Sequence, residues 1–182
     1  MIWPNFLIVG AAKAGTTSVH SVLSEHPDVF LTRKKEPCFF CWPEQTKIFQ
    51  KYNTERDTLK FNISLNDYQK LFTGAHNKKI IGEASTPYLC CSELVISNLK
   101  KYINDYRKIK ILIVLRNPIE RAFSQYMHKI RDGVETLDFS AALNEEDKRK
   151  NESCWVDYLY KRRSLYFEDV KNYLENFDSV KI

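Results

Sequence analysis

No apolar run in this chain of 182 residues approaches the ~20 residues of a membrane span. The N-terminus leads straight into an apolar segment, without the basic and apolar regions of a signal peptide, and no internal repeat is present. Five cysteines, at 38, 41, 90, 91 and 154, form an odd count with no regular spacing, which excludes a secreted disulfide framework. Free, partly buried thiols in a reducing, cytoplasmic compartment are the expectation. Cys38-x-x-Cys41 and Cys90-Cys91 offer two halves of a zinc site on paper, but adjacent cysteines rarely share one ion and no histidine stands at a useful spacing. The excess of basic over acidic residues is small, 28 against 23, a net charge of +5. It suits an anionic ligand and gives no reason to expect nucleic acid. With 43% apolar and 28% charged residues the composition is that of an ordinary globular protein, and the length predicts one domain, residues 1–182.

What is present begins at Phe6. Phe6-Leu7-Ile8-Val9 reads as a buried parallel strand. Gly10 and Gly15 then bound a tight loop, and Thr16, Thr17 and Ser18 open a helix with Val19, Val22 and Leu23 on one face, ended by His26-Pro27. Strand, Gly-bounded loop and helix N-terminus together make a cradle for phosphate, formed by backbone N–H groups and the helix dipole. The loop is not a Walker A sequence: Thr16 stands where G-x-x-x-x-G-K-[ST] requires lysine. The lysine, Lys13, lies inside the loop instead, placed to meet a bridging or leaving oxygen rather than to run beside Mg²⁺. A P-loop nucleotide kinase would share the turn, but the strongest strand leads to Arg116 and not to a Walker B aspartate.

Strands are expected at 5–9, 29–31, 79–82, 109–115 and from 179 onward. Helical patterns lie at 16–25, 67–72, 92–106, from 118 on, near 138–149 and at 164–176. Asn117 as N-cap and Pro118 at the first helical position give one helix a firm start, with Ile119, Ala122, Phe123, Tyr126 and Ile130 as its apolar face. Alternating strands and helices predict an α/β fold with a central parallel sheet flanked by helices. Residues 43–66 read as a polar surface excursion between core elements and as part of an acceptor cleft. Lys148-Arg149-Lys150 and Lys161-Arg162-Arg163 read as solvated helix faces.

Four segments in order resemble one family. Gly10-Ala11-Ala12-Lys13-Ala14-Gly15-Thr16-Thr17 is similar to the 5′-phosphosulfate loop of sulfotransferases that use 3′-phosphoadenosine-5′-phosphosulfate (PAPS). Lys35-Glu36-Pro37-Cys38-Phe39-Phe40 and Gly82-Glu83-Ala84-Ser85-Thr86-Pro87-Tyr88-Leu89 resemble blocks of the branch related to heparan sulfate sulfotransferases and their bacterial relatives. Leu115-Arg116-Asn117-Pro118, continuing to Ser124-Gln125-Tyr126, resembles the family's 3′-phosphate motif. The resemblance covers essentially the whole chain and implies the P-loop-like sulfotransferase fold. It also implies a domain incomplete at its C-terminus, since family members continue with helices and a loop over the 3′-phosphate.

The implied activity is sulfuryl transfer from PAPS, as co-substrate, to a hydroxyl or amine acceptor of carbohydrate-like character, a saccharide being one candidate, with no metal. Lys13 would be catalytic at the bridging oxygen, and Glu36 would be the base. Lys13, Ala14, Gly15, Thr16, Thr17 and Ser18 would hold the 5′-phosphate, and Arg116 with Ser124 the 3′-phosphate. Arg121 falls on a different helix face and is expected to be structural. A non-catalytic relative that only binds the nucleotide would share the same cofactor residues. Two departures from the branch, Cys38 in place of a frequent histidine and Ala84-Ser85 in place of a frequent lysine, argue against a heparan-type acceptor. They leave the cofactor half intact.

Overall fold

The computed structural model describes residues 2–41, 63–151 and 156–182. Most of the predicted 43–66 excursion, and Cys154, lie outside the described residues. Five strands, β1 (Phe6–Gly10), β2 (Val29–Leu31), β3 (Ile80–Ala84), β4 (Lys110–Ile113) and β5 (Ser179–Lys181), form one sheet in the order β2-β3-β1-β4-β5. Every neighbouring pair is parallel, with Phe6 opposite Gly82 on one side and Lys110 on the other. The α/β architecture expected from the alternation is therefore the one observed. Gly82 is required at its place: a Cβ there would lie 2.3 Å from the Phe6 carbonyl oxygen on the next strand.

Eight α-helices are described: α1 (Thr16–Ser24), α2 (Leu65–Lys70), α3 (Pro87–Cys90), α4 (Ser92–Tyr102), α5 (Pro118–Arg131), α6 (Phe139–Asn144), α7 (Glu146–Asn151) and α8 (Phe167–Asn176). Side chains alternate across the sheet, so successive residues of one strand feed different cores. Ile8, Leu31 and Ala84 meet Val19 and Leu23 of α1 on one side. Leu7, Val9, Ile111 and Ile113 join Tyr88, Val95, Leu99 and Tyr173 from α3, α4 and α8 in the larger cluster. Val22, expected on the apolar face of α1, is exposed.

Several boundaries are shorter than the sequence pattern suggests. The strand read at 109–115 ends at Ile113, and the helix read at 92–106 ends at Tyr102 because Ile103 is extended (φ −130°, ψ 110°). The segment read as one helix near 138–149 is two, α6 and α7, with Glu145 between them.

The largest departure concerns α5. Its N-terminus is as expected, the Asn117 side chain accepting from Ile119 N and Glu120 N. Its buried residues, however, are Arg121, Ala122, Gln125 and Lys129, while Ile119 is 75% and Phe123 48% exposed. The helix packs on the polar segment 156–164, where polar side chains find partners. Arg121 Nε donates to Ser164 Oγ at 2.6 Å and Nη2 to the Tyr160 carbonyl, bonds that show the structural role expected of Arg121.

The basic runs are not simple solvated faces either. Arg149 pairs with Glu135 at 2.8 Å and lies over the rings of Tyr158 and Tyr160. Arg163 is buried against Asp157, and Arg162 pairs with Asp169 at 2.7 Å. Each guanidinium is drawn inward by a carboxylate that spacing along the chain could not reveal.

Candidate active site

The carboxyl ends of β1, β3 and β4 converge, as ligand sites do in open parallel sheets. The loop after β1 is the innermost. Gly10 (φ 153°) leaves no room for a side chain, since a Cβ would meet Leu89 Cβ at 2.7 Å. Lys13 (φ 67°) takes the left-handed conformation at the crown of the loop. Gly15 (φ 96°) is the N-cap of α1, makes no side-chain cap, and has open space around its α-carbon. The first turn of α1 holds no acidic residue. Its leading N–H groups, which a helix cannot satisfy internally, therefore face an electropositive opening. Burial lowers the Lys13 pKa, and the nearby charge of Arg131 lowers it further.

Glu36 reaches the same opening from the turn after β2. Its backbone is left-handed (φ 55°), as is that of Cys38 (φ 56°), and its N–H donates to the Ala84 carbonyl at 2.9 Å. The carboxylate accepts from Thr86 N at 2.9 Å and from Thr86 Oγ1 at 3.2 Å. Burial pushes the Glu36 pKa up, outweighing the hydrogen bonds from Thr86, and the charge of Asp157 adds to the rise. Lys35 turns the other way and donates to Thr17 Oγ1 at 2.7 Å, tying this turn to the start of α1.

These residues line a cleft of about 250 Å³ formed by Ala12, Lys13, Thr16, Thr17, Glu36, Thr86, Pro87, Gln125, His128 and Asp157. Lys13 and Glu36, picked from segments over twenty residues apart, thus share one cavity. Thr86, Gln125, His128 and Asp157 join the lining without a role assigned to them from the sequence. Gln125 and His128 are three residues apart on α5, the spacing of one helix face, which is the signal the sequence offers for them. Asp157 had none, being isolated in its stretch of chain. Burial raises the Asp157 pKa, but the charges of Arg163 and Lys129 outweigh it and hold the carboxyl below its ordinary range. The cleft therefore holds two carboxyls whose surroundings push them apart, a pattern associated with divided roles in proton transfer.

Arg116 stands three residues beyond β4. Its Nη1 donates to the Lys13 carbonyl at 3.3 Å, and its guanidinium pairs with Glu120 at 3.1 Å. Tyr166 Oη donates to the Arg116 carbonyl at 3.0 Å, fixing that backbone. Ser124 lies two turns into α5, partly buried. The four cysteines at 38, 41, 90 and 91 are free thiols, and among the described residues no group of three or more His, Cys, Asp or Glu is arranged to hold a metal ion. Ala84 and Ser85, at the departure from the branch, are both fully buried.

The sequence model of the sulfotransferase family matches residues 4–172. The chain belongs to this family. A crystal structure of a sulfotransferase from Alicyclobacillus acidocaldarius superposes with a TM-score of 0.86 at 39% identity, covering 100% of this chain and 72% of that one. Membrane-associated sulfotransferase kil1 of Dictyostelium discoideum is 29% identical over 70% of this chain and 23% of its own length. Carbohydrate sulfotransferase 15 of Rattus norvegicus is 26% identical over 93% of this chain and 34% of its own length. Human bifunctional heparan sulfate N-deacetylase/N-sulfotransferase 2 is 31% identical over 71% of this chain and 13% of its own. The chain thus spans about a third or less of these curated relatives. No helix among the described residues is long and apolar enough to cross a membrane.

Proposed function

We propose that this chain transfers a sulfuryl group from PAPS to a hydroxyl or amine acceptor of carbohydrate-like character. The observation that carries the reading is the shared cleft: a lysine at the crown of a phosphate-type loop and a half-buried carboxylate open into one cavity. The residues present suit the nucleotide. A left-handed glycine cap without a side chain leaves the N–H groups of α1 open, and a lysine rather than an acid stands beside them. PAPS supplies a phosphosulfate anhydride, from which the sulfuryl group comes.

Ala14, Gly15, Thr16, Thr17 and Ser18 would hold the 5′-phosphate through backbone N–H groups and hydroxyls. Lys13 would neutralise charge at the oxygen that departs with the nucleotide, where a preplaced cation acts most strongly. Arg116 and Ser124 would hold the 3′-phosphate, guanidinium and hydroxyl together suiting a phosphate dianion. Glu36 would take the acceptor proton. The pKa raised by burial strengthens it as a base, and the Thr86 bonds aim it. The acceptor class comes from the carbohydrate sulfotransferases among the relatives.

Thermal denaturation with 3′,5′-ADP in the absence of Mg²⁺, compared with Mg-ATP, tests the donor half. Selective stabilisation by 3′,5′-ADP is expected, and stabilisation by Mg-ATP alone would refute it. Transfer of label from radiolabelled PAPS to a panel of saccharides, phenols and peptides tests the acceptor half, and transfer only to phenols or peptides would overturn the carbohydrate assignment.

A further inference from the structure

Beneath the cleft lies a carboxylate that the proposed reaction does not use. Glu83, on β3, is fully buried and accepts three hydroxyl hydrogen bonds. Tyr88 Oη donates to Oε1 at 2.6 Å, Tyr68 Oη to the same oxygen at 3.2 Å, and Ser85 Oγ to Oε2 at 2.7 Å. Two of these hydroxyls have a second task. Ser85 Oγ accepts the Cys38 N–H at 3.0 Å, and Tyr88 Oη accepts the Phe40 N–H at 3.2 Å. The Cys38 N–H belongs to the turn that carries Glu36, and the Phe40 N–H to the 3-10 turn Phe39–Cys41 that follows it directly.

A hydroxyl has one proton to give. With that proton committed to Glu83, the oxygen lone pairs of Ser85 and Tyr88 are left to face the turn. Burial pushes Glu83 up to about 7, so above that pH the carboxylate is ionised and polarises both hydroxyls in the same sense, and bonds linked in this way strengthen one another. The turn needs such restraint, because Glu36 and Cys38 both hold left-handed backbones that non-glycine residues adopt only when their surroundings impose them. The restraint acts from the same strand end that aims the Glu36 carboxylate, since Ser85 precedes Thr86, whose N–H and hydroxyl hold it.

We infer that Glu83 is a positioning residue for the cleft: through Ser85 and Tyr88 it fixes the Cys38 and Phe40 N–H groups and so sets where Glu36 stands. The inference rests on the reading of Glu36 as the base.

The test is a double-mutant cycle between Glu83→Gln and Glu36→Gln, read as turnover with PAPS and as affinity for 3′,5′-ADP. Glu83→Gln keeps the shape but replaces an acceptor oxygen with a donor, turning one hydroxyl around. Alone it should lower turnover about tenfold or more and leave 3′,5′-ADP affinity within about twofold. In the Glu36→Gln background the same change should lower turnover less than about twofold, because the group it positions is already disabled. Where Glu83→Gln does not fold, Ser85→Ala and Tyr88→Phe each remove one arm and should show the same non-additivity, with faster amide hydrogen exchange at Cys38 or Phe40 respectively.

Equal fold losses in both backgrounds, or unchanged exchange at both amides in the single-arm variants, would overturn the inference alone. Near-normal turnover of the single variant Glu36→Gln would instead remove the reading of Glu36 as the base, and the inference with it.

Discussion

Lys13 and Glu36 face one cleft but are prepared differently, so their variants should separate binding from chemistry. Lys13→Ala should lower turnover strongly and weaken 3′,5′-ADP somewhat, since the cation serves both the bound nucleotide and its departure. Glu36→Gln keeps shape and polarity but cannot take a proton. Its turnover should fall on the order of 10²–10⁴-fold with 3′,5′-ADP affinity nearly unchanged, as steady-state kinetics and calorimetry would report. Activity and stability should also run in opposite directions with pH. Burial raises Glu36, and it pushes Glu83 up to about 7. The native state then keeps protons that the unfolded chain has released, so these two groups lower stability as pH rises from the ordinary carboxylate range toward about 7. A base must be ionised, and burial raises Glu36, so turnover should climb with pH above the ordinary carboxylate range. A pH–rate profile and a pH series of melting temperatures would show the crossing. A rate already flat from the ordinary carboxylate range upward would argue against Glu36 as the base.

Among the elements, α5 shows most clearly what patterning can and cannot tell. Its start was legible because Asn117 and Pro118 act locally, through capping bonds and a preset backbone angle. Its facing was not, because apolar periodicity assumes an apolar neighbour, whereas the segment at 156–164 offers carbonyls, a hydroxyl and Asp157. Arg121→Ala should therefore cost about 2–5 kcal/mol of stability, comparable to emptying a core position, while Ile119→Ala on the exposed face should stay within about 0.5 kcal/mol. Denaturant titration of the two variants would decide, and similar losses would restore the apolar face as the buried one. The loop before α1 was the most readable element of all, since glycine spacing and the helix start are both local in sequence. Asp157 and Glu83 were unreadable for the opposite reason: Glu36 lies in a distant segment, and only the folded sheet brings them near it.

Across the whole molecule, the sheet order places β1 between β3 and β4, so both halves of the proposed nucleotide site arise from neighbouring strands. The parallel architecture followed from the alternation of strands and helices; the order of the strands did not, because it depends on pairings between segments far apart in the chain. Arg116→Ala should weaken 3′,5′-ADP by about 1.5–3 kcal/mol and leave 5′-AMP nearly unaffected, since only the former carries the 3′-phosphate. Equal weakening of both in calorimetry would show that Arg116 does not read that group. The pairing of β1 with β4 also continues beyond the sheet. Ala11 N donates to the Val114 carbonyl at 2.6 Å, Val114 N to the Gly10 carbonyl at 2.7 Å, and Arg116 reaches the Lys13 carbonyl. The two loops are rungs of one ladder, set at a fixed distance like the jaws of a locked caliper. A nucleotide carrying the same charge on differently spaced phosphates would fill one jaw and miss the other, so the protein would gauge separation rather than count negative charges.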